Sequence, residues 1–293
     1  MQVTETVPNL LGACTWLWTA PFSDADVALA ERVAGLGFGV LEVCVEQADL
    51  VSAEALVAAG GAAGVALSVC GAFGPDRDLA HRDPGPQSNG LQYIARLVAL
   101  AAAVGSPHVC GPMYSAVGKA RLEDPDDRAA ERRRSVENLK RAADGAAAWG
   151  VRLAIEPLNR YETDMINTVE QGLELCAAVD AENVGLLLDT YHMNIEEKSM
   201  GDAIRTAAGR LFHFHACEND RGTPGTGHIP WADAFEALSD IGYTGHVVIE
   251  SFTPAVTEIA RAVSLWRPLD ASGDELAAAG LRFLETALAA AQR

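Results

Sequence analysis

Residues 153–162 read Leu-Ala-Ile-Glu-Pro-Leu-Asn-Arg-Tyr-Glu. The apolar run Leu153-Ala154-Ile155 has the character of the end of a buried strand. Glu156 halts it, and Pro157 has no N–H with which to continue a ladder. A carboxylate at the tip of a buried strand is costly unless something pairs with it. The pattern recurs downstream: VGLLLD (184–189) ends in Asp189, LFHFH (211–215) in His215 and HVVIE (246–250) in Glu250. Successive strand-like runs thus each end in a side chain that can bind a metal. In a parallel (β/α)8 barrel all C-terminal strand ends open on one face, where active sites sit. Glu156, Asp189, His215 and Glu250 converging there make an oxygen-rich set with one imidazole. Such a set suits Mn²⁺, Mg²⁺ or Co²⁺ better than a structural zinc, which favours sulfur and nitrogen.

Outward from this stretch, strand-like and helix-like runs alternate. Strands are expected at 10–18, 39–45, 65–71, 107–111, 151–156, 184–189, 211–217 and 246–251. Helices are expected at 24–36, 53–63, 90–104, 126–149, 168–179, 200–208, 231–240 and 273–291. The strands are apolar throughout rather than alternating, as in a parallel sheet covered on both faces. Strict alternation of eight units predicts an α/β fold, a single (β/α)8 TIM barrel over residues 1–293. A doubly wound sheet would want G-x-G-x-x-G after the first strand, where this chain reads CTWLW. A long connection, 74–90, rich in glycine, proline and charge, is expected on the active face.

The formal net charge of −18 repels phosphate backbones and anionic lipid, so neither nucleic acid nor a membrane is an expected partner. No run of about 18 apolar residues marks a membrane span. The N-terminus, MQVTETVPNL, lacks the features of a secretion signal. The six cysteines form no CxxC motif; they are expected to be small buried hydrophobes in a reducing cytoplasm rather than disulfides or zinc ligands.

Glu156 and Glu250 are expected to combine metal ligation with proton transfer. A carboxylate beside a divalent cation can take a proton from a carbon whose neighbouring oxygens the cation polarises, stabilising an enediolate. His192, three residues past Asp189, is placed on a loop where it can reach the same ligand or cap a nearby backbone group. Glu162 either contacts the substrate or orients a metal ligand. Arg221, on a glycine-rich loop past His215, is read either as fixing a substrate oxygen or as bridging to Asp220 or Glu218. His213 points to the same side as His215, one layer down, with Phe212 and Phe214 opposite. Glu42, inside the apolar run VLEVC, needs a buried partner, which the barrel mouth could offer as an arginine or a histidine. Trp16, Trp18, Phe73, Met113 and Tyr114 are candidates for an apolar wall, and Glu196 and Glu197 for a solvated face.

IEPLNRYE, LLDTYHMNIEE, HFHACENDRGTPGTGHIPW and GHVVIESF, in this order, resemble the ketose 3-epimerases of the xylose-isomerase-like TIM-barrel superfamily. The likeness is strong over 151–252 and weaker but collinear over 10–115. It implies an isomerase that binds one Mn²⁺, Co²⁺ or Mg²⁺ through Glu156, Asp189, His215 and Glu250. Glu156 and Glu250 would act on opposite faces of C3 of a free ketose, through a cis-enediolate. Glu162, His192 and Arg221 would bind the O1–O3 end of the sugar. The resemblance also implies a homodimer or homotetramer. VVIESF lacks the proline that follows the glutamate in many sugar epimerases, and the loop ACENDRGTPGTGH departs from the common form. The alternative within the superfamily is an isomerase or lyase acting on an inosose or 3-keto-glycoside, including C-glycoside cleavage.

Overall fold

The computed structural model describes residues 11–119 and 124–291. Eight parallel strands, β1 (Leu11–Cys14), β2 (Val40–Val45), β3 (Ala66–Gly71), β4 (His108–Gly111), β5 (Arg152–Ile155), β6 (Val184–Asp189), β7 (Leu211–His215) and β8 (Val247–Ile249), follow one another in sequence order. β1 pairs with β2 on one side and with β8 on the other, so the sheet closes into the expected (β/α)8 barrel.

Helix boundaries follow local chemistry. The side chains of Ser52, Thr168 and Ser199 accept backbone N–H groups at the starts of α2 (Ala53–Ala63), α5 (Val169–Val179) and α7 (Met200–Ala207). Gly37 and Gly64 adopt the left-handed conformation that ends α1 (Leu29–Leu36) and α2. The 74–90 connection is shorter than expected. The Asp83 carboxylate accepts from Gly85 N at 2.9 Å, and Pro84 opens the helix, so α3 (Pro84–Val104) absorbs the second half of that segment.

The first strand also stops early, at Cys14. Thr15–Leu17 tightens into a 3₁₀ turn, with the Thr15 hydroxyl accepting from Cys44 N at 3.0 Å and the Trp16 indole donating to Glu46 at 2.6 Å. Leu10 and the N-terminal segment read above lie outside the described residues. Two helices were not expected. The Asp189 carboxylate accepts from Tyr191 N at 2.6 Å and caps α6 (Thr190–Glu196), and α9 (Thr257–Ala262) follows β8. The remaining helices are α4 (Pro125–Ala147), α8 (Trp231–Asp240) and α10 (Gly273–Ala291). Among the described residues no helix is long and apolar enough to cross a membrane.

The closed barrel creates two cores. Outward-facing residues such as Leu41, Val43, Val69, Ile155, Leu188 and Phe214 pack against the helices. Inward-facing Cys14, Cys44, Cys70, Cys110, Ala154, Leu187 and Val248 belong to a separate cluster inside the barrel. A register shift between Leu186 and Leu187 inserts Phe212 into β7 without a partner in β6. This takes Phe212 out of the expected alternation: it packs with the inner cluster, not beside Phe214. Its ring fills the space over Gly185, where an added Cβ would meet Arg210 O at 2.5 Å and the Phe212 ring at 2.6 Å. Gly185→Ala should therefore destabilise the fold by about 1–3 kcal/mol, the usual cost of overpacking. Denaturant unfolding measures this; an unchanged midpoint would show that Phe212 swings away freely.

Candidate functional site

Glu156 follows β5, Asp189 ends β6, His215 ends β7 and Glu250 follows β8. One ligand-capable atom from each lies within 4.8 Å of those of the other three, and all four side chains are buried. The strand ends thus bring together the residues read from the sequence as a metal set.

The histidine of this set is held from below. Glu42, on β2 inside the barrel, accepts from His215 Nε2 at 2.8 Å and, through its other oxygen, from His213 Nε2 at 2.6 Å. The Ser68 hydroxyl adds a third bond to Glu42 at 3.0 Å. The partners of this buried carboxylate are therefore histidines, and their charge holds it well below its ordinary range against the effect of burial. The arrangement commits Nε2 of His215 to Glu42. It aims Nδ1 into the carboxylate cluster, 3.5 Å from Glu250 Oε1 and 3.8 Å from Asp189 Oδ2, with no hydrogen bond of its own. Burial opposes a charge on this ring, yet Glu42 and Glu250 raise its pKa well above the ordinary value. The position attracts positive charge, and an oxygen-rich donor set with a buried, unpartnered imidazole nitrogen fits a divalent cation.

Arg221 enters the same cluster. It stands in the left-handed region, φ +67°, on the loop after β7. Its Nη1 lies 2.9 Å from Asp189 Oδ2 and 2.5 Å from Glu250 Oε2. The guanidinium lies 3.9 Å from the centre of the Tyr191 ring, which fixes its plane. The bridge considered from sequence, to Asp220 or Glu218, is not what holds it. Asp220 accepts from Gly222 N, while Glu218 accepts from the backbone of Asn219, Gly225 and Ile229 and from the Trp231 indole.

The three carboxylates share one pocket but not one proton affinity. Burial, reinforced by Glu250, pushes Glu156 well up. Burial also raises Glu250, to about 7, against the pull of Arg221. At Asp189 burial is outweighed by Arg221, His192 and His215, which hold it down at about 2.

His192 lies on α6, not on a loop. Its Nδ1 accepts from Asn159 N at 3.0 Å, so Nε2 carries the hydrogen, 3.7 Å from Glu156 Oε1. Burial and then Arg221 press its pKa to about 4, so the ring is neutral near pH 7. Its 3.2 Å approach to Arg221 Nη2 sets two donors side by side and is a contact without a hydrogen bond. Asn159, which the sequence reading passed over, joins His192 to Glu162, whose carboxylate accepts from Asn159 Nδ2 at 2.9 Å.

Glu156, Glu162, His192, Arg221 and Glu250 line a pocket of about 420 Å³, together with apolar Trp16, Phe73, Val117, Phe252 and Ile259. Of the expected apolar wall, Trp16 and Phe73 face the pocket. Trp18 turns away to Asp274, and Met113 and Tyr114 are fully buried. Glu196 and Glu197 are not a solvated face. Glu196 accepts from Arg160 N at 2.7 Å and its guanidinium at 2.9 Å, and Glu197 from Val169 N at 2.7 Å, so both brace the segment after β5.

The family model described as xylose isomerase-like TIM barrel matches residues 30–287. A probable ketose 3-epimerase of Synechocystis is 35% identical over 93% of this chain and 94% of its own length. A D-psicose 3-epimerase of Ruminiclostridium cellulolyticum is 36% identical over 84% of each. A crystal structure of D-allulose 3-epimerase from Methylomonas sp. in complex with D-allulose superposes with a TM-score of 0.89 at 29% identity, covering 96% of this chain and 98% of that one. With the barrel closed and the four strand-end side chains brought together, these matches establish that the chain belongs to the ketose 3-epimerases of the xylose isomerase-like TIM barrel family.

Proposed function

We propose that this protein interconverts free ketoses at C3 with the help of one divalent cation, Mn²⁺ in the first instance, with Co²⁺ or Mg²⁺ as substitutes. The observation that carries this reading is the convergence of Glu156, Asp189 and Glu250 on the unpartnered Nδ1 of His215. Those four residues would hold the cation, which supplies Lewis acidity to the oxygens beside the reacting carbon. Glu156 and Glu250, on different strand tips, would work on opposite faces of C3. One removes the proton to give a planar cis-enediolate, and the other returns a proton from the far side. Their raised proton affinities suit groups that must both accept and donate near neutral pH.

The O1–O3 end of the sugar would lie against Glu162, His192 and Arg221. Neutral His192 offers its Nε2–H to a substrate oxygen, and the Asn159 bridge keeps it and Glu162 in register. Arg221 offers donors without gaining or losing a proton. The buried thiols suit a cytoplasmic enzyme. Trp149, Tyr161 and Trp266, each more than half exposed, are surfaces a homo-oligomer would cover.

The decisive experiment is NMR in D₂O of the Mn²⁺-loaded protein with D-fructose, D-tagatose, D-allulose and L-ribulose. Deuterium at C3 together with the 3-epimer is expected, abolished by EDTA and restored by Mn²⁺. No label with any of these sugars would refute the ketose reading and favour a 3-keto-glycoside or inosose. Glu250→Gln should lower turnover by about 10²–10⁴-fold with the fold intact, the range expected for loss of a general acid–base group; near-normal turnover would exclude Glu250 from proton transfer. Glu42→Gln should weaken Mn²⁺ binding by about 10–100-fold, as removal of a hydrogen-bond partner from a metal-bound histidine does. Calorimetric titration of Mn²⁺ reads this directly, and unchanged affinity would show that His215 needs no support from below.

A further inference from the structure

Beneath the carboxylates, the inner wall of the barrel carries a row of thiols. Cys44 is in register with Cys70 across β2 and β3, and Cys70 with Cys110 across β3 and β4. Cys14, Cys44, Cys70 and Cys110 belong to one buried cluster inside the barrel. All four cysteines are buried and unoxidised.

A carboxylate completes the group. One oxygen of Glu42, Cys44 Sγ and Cys70 Sγ lie within 4.8 Å of one another. Cys110 Sγ is 3.7 Å from Glu42 Oε2. Two sulfurs bound to one tetrahedral zinc-like ion stand about 3.8 Å apart, given bonds of about 2.3 Å. Side chains in register on adjacent strands, about 4.8 Å apart, reach that separation without moving the backbone. Cys70 also lines the floor of the pocket, so an ion can arrive from there without the barrel opening.

We propose that Cys44 and Cys70, with Glu42, form a second cation site, selective for thiophilic d¹⁰ ions of the Zn²⁺ and Cd²⁺ class. Each coordinating thiol releases its proton to solvent, and Glu42 yields a hydrogen bond from a neighbouring histidine. The two sites sort ions by softness: oxygen donors above hold hard cations, and sulfur below holds soft ones.

The test is to load the protein with Mn²⁺ and titrate Cd²⁺, following ultraviolet thiolate-to-cadmium charge transfer. Cadmium K-edge X-ray absorption on the one-equivalent sample then counts sulfur neighbours. The expected result is an absorption that saturates at one equivalent, with two sulfurs in the cadmium shell. It should persist in Cys217→Ser, whose sulfur lies by Arg221, and vanish in the Cys44→Ser, Cys70→Ser double variant. A shell of oxygen and nitrogen only, absorption that survives the double variant, or absorption lost in Cys217→Ser would overturn the proposal. The X-ray measurement uses the unmodified protein and so does not depend on the double variant folding. Binding is the readout throughout, so the outcome is separate from that of the epimerase reading.

Discussion

Three carboxylates buried within a few ångströms of one another are the constraint around which this molecule is arranged. Glu156, Asp189 and Glu250 cannot all be ionised in a closed pocket without positive charge nearby. Arg221 answers from above, with one nitrogen shared between Asp189 and Glu250. His215 answers from the side, and its own charge is balanced by Glu42 beneath it. Glu42 also accepts from His213, whose pKa burial lowers, so that ring adds a hydrogen bond rather than a charge. Removing one member leaves its neighbours uncompensated in a medium of low dielectric, so the site and the inner barrel are one electrostatic unit.

Much of this was legible because a barrel converts sequence periodicity into position. An apolar run that stops on Glu156 or Asp189 can only be placing that side chain at the mouth. The repetition of that ending on adjacent strands singled out four side chains that the fold brings together. What was not legible depended on side chains meeting across the fold. Glu42 announced that it needed a partner, but nothing local said the partners would be histidines on β7. Asn159 looked like an ordinary turn residue until its backbone N–H was seen on His192 and its amide on Glu162. Arg221 was placed near the substrate by its glycine-rich loop, while its pairing with two strand-tip carboxylates required the closed ring. An element end was misread where a cap overrode hydropathy, at Asp83, and where a side-chain bond turned the strand, at Thr15; after Asp189 the strand end was right but the helix it caps was missed.

The inner layer shows why apolar strands alone underdetermine the core. Every second residue faces the narrow interior, where cysteine, alanine and glycine fit and larger residues must be accommodated singly. Phe212 is the exception, admitted by a register shift and by the absence of a side chain at Gly185. Its ring also lies under the Arg152 guanidinium, 4.6 Å from the ring centre. The inside of this barrel is thus graded from aromatic and cationic at its base, through sulfur, to oxygen at the mouth.

The loop after β7 has its own centre in Glu218. One fully buried carboxylate gathers three backbone N–H groups and an indole from a segment that contains three glycines and would otherwise sample many shapes. Fixing a residue of such a chain costs about 1–2 kcal/mol in backbone entropy. Here that ordering is completed when the protein folds, so it does not weigh on the affinity for a small, flexible sugar. Arg221 can therefore stand in a left-handed backbone and still present its guanidinium at one angle. The rigidity of the loop that carries Arg221 is set by a buried side chain that makes no bond to Arg221's guanidinium.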